Sequence, residues 1–285
     1  MDNLTKSDLK LLINKAYNGR VKMLKMMRNG SIHLGGAFSS IDIITVMFNK
    51  VLIHDPTNPS WDRRDRFILS AGHKGIALYV TLQDQGYFDE NILWTYYRLK
   101  SKVPEHPDEK SLPGIEFPTG SLGHGLSAGS GMALAAKLDK KEYRVFVLLG
   151  DGECSEGTIW EAAMASAHYK LDNLIAILDR NGLQVNGRTE DIMNTSVLEN
   201  KFREFGWTTC AINGHDYNEI WSRLNNVPIE VGKPSCIIAD TIKSKGITFA
   251  ENDFQTHHCH WDEKKINKAI SSVIENQVME LKKIE

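Results

Sequence analysis

The 285 residues carry 34 basic and 36 acidic side chains, a formal charge of -2, with 41% apolar residues. That length allows one large α/β domain with a well-buried core, and the near-neutral balance removes the electrostatic case for nucleic-acid binding. Four widely spaced cysteines form no pair motif and suggest a reducing, cytoplasmic setting, while an opening stretch broken by Lys and Arg excludes a signal peptide and no apolar run is long enough to span a membrane.

In chain order, Leu9, Leu12, Ile13, Ala16, Tyr17, Val21, Leu24 and Met27 recur at helical spacing, predicting an amphipathic first helix that ends near Asn29-Gly30. Residues 31–36 read as a loop too glycine-rich for a helix interior, and 40–49 return to a helical pattern. A short strand is expected at 66–70, with Ala71-Gly72-His73-Lys74-Gly75 in the loop beyond it, then helices at 74–84 and 89–99. Residues 101–121 hold Pro104, Pro107, Pro113 and Pro118; a polar loop of that length usually has a task such as covering a site. The helix at 123–138 is crowded with Gly and Ala and is expected to be tightly buried.

Residues 143–183 organise the rest. Two apolar runs, 145–149 and 174–178, flank an Ala-rich helical stretch, so the segment reads strand–helix–strand. Gly150-Asp151-Gly152 follows the first run and Asp179-Arg180-Asn181-Gly182 the second. Ligands of open α/β sheets collect at the carboxyl ends of strands, which puts Asp151 and Asn181 side by side. A carboxylate and an amide carbonyl suit a hard cation such as Mg2+, and the glycines let backbone approach a phosphate. Further strands at 207–211 and 235–241, a helix at 216–226 and a closing helix at about 262–283 complete the pattern. The fold class is α/β: a mainly parallel sheet with helices on both faces, in a single domain over 1–285.

The spacing from Gly150-Asp151-Gly152 to Asn181 resembles a thiamine diphosphate motif. Asn58-Pro59-Ser60-Trp61, the His73 loop, Thr119-Gly120-Ser121-Leu122-Gly123, Glu156-Gly157 and Asn213-Gly214-His215-Asp216 follow in the order of a transketolase. The resemblance runs from about residue 7 to about 260 and covers the amino-terminal, diphosphate-binding part of the family. It resembles the first subunit of a split, two-gene enzyme.

The resemblance implies the thiamine diphosphate-binding fold, with thiamine diphosphate and Mg2+ (or Ca2+) as cofactors. Asp151, Asn181 and the carbonyl of Leu183 would hold the metal; Gly152 and His73 would meet the diphosphate. Gly120, Ser121 and Leu122 would line the ring side, with His257 near the diphosphate and reaction centre and His33 and His106 in the substrate channel; His33, His73 and His257 would supply acid–base groups to the sugar hydroxyls. Lys243, just beyond the last strand, is a candidate diphosphate contact. Glu156 and Glu161 match glutamates at the subunit contact. The implied partner is a separate pyrimidine-binding subunit, in a heterotetramer with two copies of each. The implied reaction moves a two-carbon glycolaldehyde unit from a ketose, phosphorylated or otherwise anionic, to an aldose.

The alternatives are an enzyme specialised for apulose 4-phosphate or 6-deoxy-6-sulfofructose, another thiamine diphosphate enzyme component, or a silent scaffold that retains the fold. His124 and the run His258-Cys259-His260-Trp261 depart from the family pattern and bear on the substrate. The run His257-His258-Cys259-His260 does not make a zinc site by itself, because adjacent ligands cannot all point at one metal.

Overall fold

The computed structural model describes residues 3–194 and 197–284. Its strands are β1 (Arg66–Leu69), β2 (Val145–Gly150), β3 (Leu174–Arg180), β4 (Thr208–Asn213) and β5 (Ser235–Asp240). They pair in the order β1-β2-β3-β5-β4, every neighbour parallel. Each overlaps a stretch expected to form a strand, with β4 running two residues past the expected 207–211. Parallel neighbours need crossovers, and helices supply them. In chain order these are α1 (Lys6–Met26), α2 (Leu34–Val46), α3 (Gly75–Asp84), α4 (Glu90–Leu93), α5 (His124–Leu138), α6 (Gly157–His168), α7 (Thr189–Ile192), α8 (Leu198–Glu204), α9 (Tyr217–Asn225) and α10 (Glu263–Lys282).

Strand side chains alternate between faces, so a strand covered on both sides must be apolar throughout. In β2, Phe146 and Leu148 enter a core shared with α1, α2, α3, α9 and α10. Val145, Val147 and Leu149 enter a second core with α5, α6 and α8. Among the described residues, no helix is long and apolar enough to cross a membrane.

Three local readings change. Leu34-Gly35-Gly36 is not loop but the first turn of α2, with His33 at its N-cap. The glycines are there because two lysines lie across that turn. A Cβ on Gly35 would meet Lys243 Cγ at 2.6 Å, and one on Gly36 would meet Lys74 Cε at 3.1 Å. The helix expected over 89–99 stops at Leu93, since Tyr96 turns inward to donate to Ser31 O (3.1 Å) and Tyr97 adopts φ 64°. Helix α5 buries only one face: Gly129 lets it approach Val147, whereas Ser127, Gly131 and Ala135 are exposed.

One buried ionic network ties the helices to the strand ends. Arg20 on α1 donates twice to Asp42 on α2, at 2.9 and 2.7 Å. Asp42 also accepts from Tyr217 Oη (2.8 Å) and sits 2.7 Å from His215 Nδ1. Ile242 N–H donates to His215 Nε2 (2.9 Å), so Nδ1 carries the proton and donates to Asp42. Burial, the largest influence on Asp42, pushes its pKa up. The Arg20 charge and the hydrogen bonds from His215 and Arg20 outweigh it and hold the carboxyl well below the usual range.

Asp42→Ala strands a buried guanidinium and should cost about 3–5 kcal/mol in urea unfolding. Because the folded pKa is depressed, the stabilisation is complete above the unfolded value of about 4 and is lost as pH falls below it. The gap between wild type and variant should therefore narrow in acid; a cost below about 1 kcal/mol at neutral pH would show the pair contributes little.

Candidate active site

Because all five strands run parallel, their carboxyl ends share one edge. Loops after β1, β2, β3 and β5 converge there. They enclose a cavity of about 140 Å3 whose lining includes His73, Lys74, Asp151, Asn181, Lys243 and His257.

Asp151 is buried, and its carboxylate is aimed by the loops on either side. Gly152 N–H donates to Oδ1 (2.9 Å), and Gly182 N–H (2.8 Å) and the Thr189 hydroxyl (3.2 Å) donate to Oδ2. Burial first, then the Asp179 charge, pushes its pKa up. Asn181 Oδ1 accepts from Leu183 N–H (3.1 Å), and its Nδ2 lies 3.4 Å from Ser39 Oγ. The Leu183 carbonyl accepts from Lys243 Nζ at 3.3 Å. A carboxylate, an amide oxygen and a backbone carbonyl form a hard-oxygen donor set, and no lysine or arginine among the described residues pairs with Asp151.

Two buried lysines line the cavity, and they differ. Lys74 pairs with Asp179 (2.6 Å), which also accepts from the Ser39 and Thr241 hydroxyls. Lys243 is 2% exposed and has no carboxylate partner among the described residues; its Nζ lies 3.2 Å from His257 Nδ1. Burial, then the charge of Lys74, pulls its pKa down to about 8. An uncompensated buried cation is costly, so this position suits an anion. Gln184 Nε2, also at the cavity wall, is buried without a hydrogen-bond partner and offers a further donor. The residues present therefore fit a diphosphate with its cation.

Histidines crowd the mouth. His33 lies with ring centroids 5.3 Å from His73, 5.9 Å from His106, 5.5 Å from His257 and 4.4 Å from His258. His73 and His257 are 5.2 Å apart. Burial and the neighbouring cationic groups push His33 down to about 3, His257 to about 4 and His73 well below 6.5. All three are neutral imidazoles at neutral pH, able to accept or relay a proton.

Leu122 lines the cavity, while Gly120 and Ser121 are exposed at its rim, the His106 ring about 3.6 Å from a Cβ placed on Gly120. Glu156 sits at the N-cap of α6 and Glu161 one turn into it, both exposed. Sequence reasoning missed Lys74, although it follows His73 directly. It also missed Glu153, whose buried carboxylate accepts from Ser70 Oγ, Gly123 N–H (2.9 Å) and Gly150 N–H (3.0 Å). Glu153 thereby pins β1, β2 and the start of α5 to one another at the cavity floor. An acid two residues beyond Asp151 in the same loop was the available signal.

The chain is 40% identical over 243 residues to one subunit of the apulose-4-phosphate transketolase of Phocaeicola vulgatus, covering 85% of this chain and 86% of that one. It is likewise 40% identical over 241 residues to a 6-deoxy-6-sulfo-D-fructose transketolase subunit of a Clostridium species, covering 85% and 88%. The crystal structure of transketolase from Campylobacter jejuni superposes with a TM-score of 0.84 at 32% identity; the match covers 93% of this chain but 42% of that one. The family model described as transketolase, thiamine diphosphate binding domain, matches residues 15–274, and with that match over a parallel sheet whose strand-end loops build this pocket, the chain belongs to the transketolase family.

Proposed function

We propose that this chain is the diphosphate-binding subunit of a two-subunit, cytoplasmic transketolase that moves a two-carbon unit from an anionic ketose to an aldose. The observation that carries the reading is the buried Lys243, without a carboxylate partner among the described residues, lining one pocket with Asp151, Asn181 and Leu183. Thiamine diphosphate, when bound, supplies the nucleophilic carbon and electron sink that carbon–carbon cleavage of a ketose requires. Asp151, Asn181 and the Leu183 carbonyl hold Mg2+; Lys243, His73 and Gly152 hold the diphosphate. Gly120, Ser121 and Leu122 flank the ring. His33, His257 and His106 orient sugar hydroxyls and move their protons at the ring nitrogens. Glu156 and Glu161, beside the exposed small residues of α5, meet a second copy, giving a two-fold symmetric assembly with two copies of each chain.

The named substrates of the two relatives, a phosphorylated and a sulfonated ketose, support a specialised donor over a general pentose phosphate. Their shared chemistry is a ketose with an anionic head. The test is a panel assay of the assembled pair with apulose 4-phosphate, 6-deoxy-6-sulfofructose and xylulose 5-phosphate, following aldose formation. One of the first two should turn over fastest; equal rates, or preference for xylulose 5-phosphate, would remove the specialised reading. His33→Ala and His73→Ala should each lower the best rate about 100-fold with little change in melting. Full activity in both would take the histidines out of the reaction.

A further inference from the structure

We propose that His33, Glu105 and His258 form an inhibitory site for a divalent transition metal, with Zn2+ the best match to its ligands, at the mouth of the pocket. The three residues come from three separate segments. Their placement follows from a backbone bridge: Ile32 N–H donates to Cys259 O and Cys259 N–H to Ile32 O, both at 3.0 Å, in an antiparallel pair. The next residues outward, His33 and His258, then face one another on the same side of that bridge. Their ring centroids are 4.4 Å apart. The 101–121 loop brings Glu105 between them.

The donor geometry suits a metal. Glu105 Oε1 lies 3.5 Å from His33 Nδ1 and 3.4 Å from His258 Nε2, and the three donor atoms all fall within 4.8 Å of one another. Two ligands about 2.1 Å from a tetrahedral ion sit about 3.4 Å apart. His33 Nδ1 is buried and makes no hydrogen bond, so the nitrogen that faces Glu105 is not committed to another protein group. Two imidazoles and one carboxylate leave further positions for water, and the exposed side of His258 gives the ion a route in. This set is not the sequential run 257–260: only His258 of that run takes part, which is why spacing within the run showed nothing.

The site is distinct from the hard-oxygen set at Asp151 and is chosen by nitrogen ligands. Calorimetric titration of the full chain with ZnCl2 in excess Mg2+ should show one saturable Zn2+. Glu105→Ala and His258→Ala should each weaken it by at least about tenfold, while His168→Ala, on the exposed end of α6, should not. Melting curves would check folding, with Glu105→Gln and His258→Asn as substitutes should either alanine variant unfold. Co2+ in place of Zn2+ should give visible d–d bands in the wild type that both variants lose. Absence of saturable binding, or binding insensitive to either residue, would overturn the site. Metal held on His33 Nδ1 withholds that nitrogen from substrate, so Zn2+ should inhibit the assembled enzyme and a chelator restore it. That consequence rests on the transfer reading above; the isotherm does not, so the two fail separately.

Discussion

Asp151→Asn should lower Mg2+-dependent affinity for thiamine diphosphate by about 100-fold, or about 2.7 kcal/mol, and Asp151→Ala by more. The carboxylate is buried and satisfied only by two amides and a hydroxyl, so its charge is available to a cation. Asparagine retains an oxygen to accept from those donors but removes the charge that balances Mg2+. Alanine also leaves Gly152 N–H, Gly182 N–H and the Thr189 hydroxyl without an acceptor, adding a cost of about 1–3 kcal/mol per buried donor to the loop itself. The two variants thus separate charge from architecture. Cofactor titrations at fixed Mg2+, read by intrinsic fluorescence and paired with melting curves, measure both. Unchanged affinity in Asp151→Asn would remove Asp151 from the metal set.

The strands were legible because burial on both faces demands apolar residues at every position, and 145–149 and 174–178 meet that demand without interruption. That Asp151 and Asn181 share one edge was legible for a related reason: each is a polar residue beside glycine within three positions of such a run, and parallel pairing carries both to the same end of the sheet. What stayed hidden depends on contacts between distant segments. The Gly35-Gly36 turn looked like loop because its purpose, admitting the stems of Lys74 and Lys243, lies in two other segments. Lys243 itself could be read as solvated until the fold enclosed it. The 89–99 helix ends early where Tyr96 turns inward, is buried and donates to Ser31 O, a contact with a distant segment that local spacing does not show. The His33–His258 pairing rests on a single bridge between Ile32 and Cys259, and no local pattern announces a bridge between segments so far apart.

The isolated chain should show no ketose cleavage and should bind thiamine diphosphate weakly; the chain assembled with a pyrimidine-binding subunit should do both well. The oxygens of Asp151, Asn181 and Leu183 and the Lys243 cation can receive a diphosphate, while Gly120, Ser121 and His258, where the rings and the sugar would lie, are exposed. A cofactor held by one end gains the charge interactions and still loses the freedom of its exposed rings, so affinity suffers twice. The exposed face of α5 and α6 is where assembly should be most sensitive. Ser127, Gly131 and Ala135 present a surface low in side-chain bulk, with Met164 beside it 51% exposed. A Cβ added at Gly131 meets nothing within 4 Å, so a larger residue there should leave the isolated fold intact and favour the helix slightly. Gly131→Arg should therefore keep the chain's melting temperature while abolishing self-association, since an unpaired buried charge at an interface costs several kcal/mol. Light scattering of the chain alone, of the assembled pair and of the Gly131→Arg pair, with cofactor titration and ketose cleavage on each, gives the comparison. Full transfer activity from the chain by itself would end the two-subunit reading, and an unimpaired Gly131→Arg assembly would move the contact to another face.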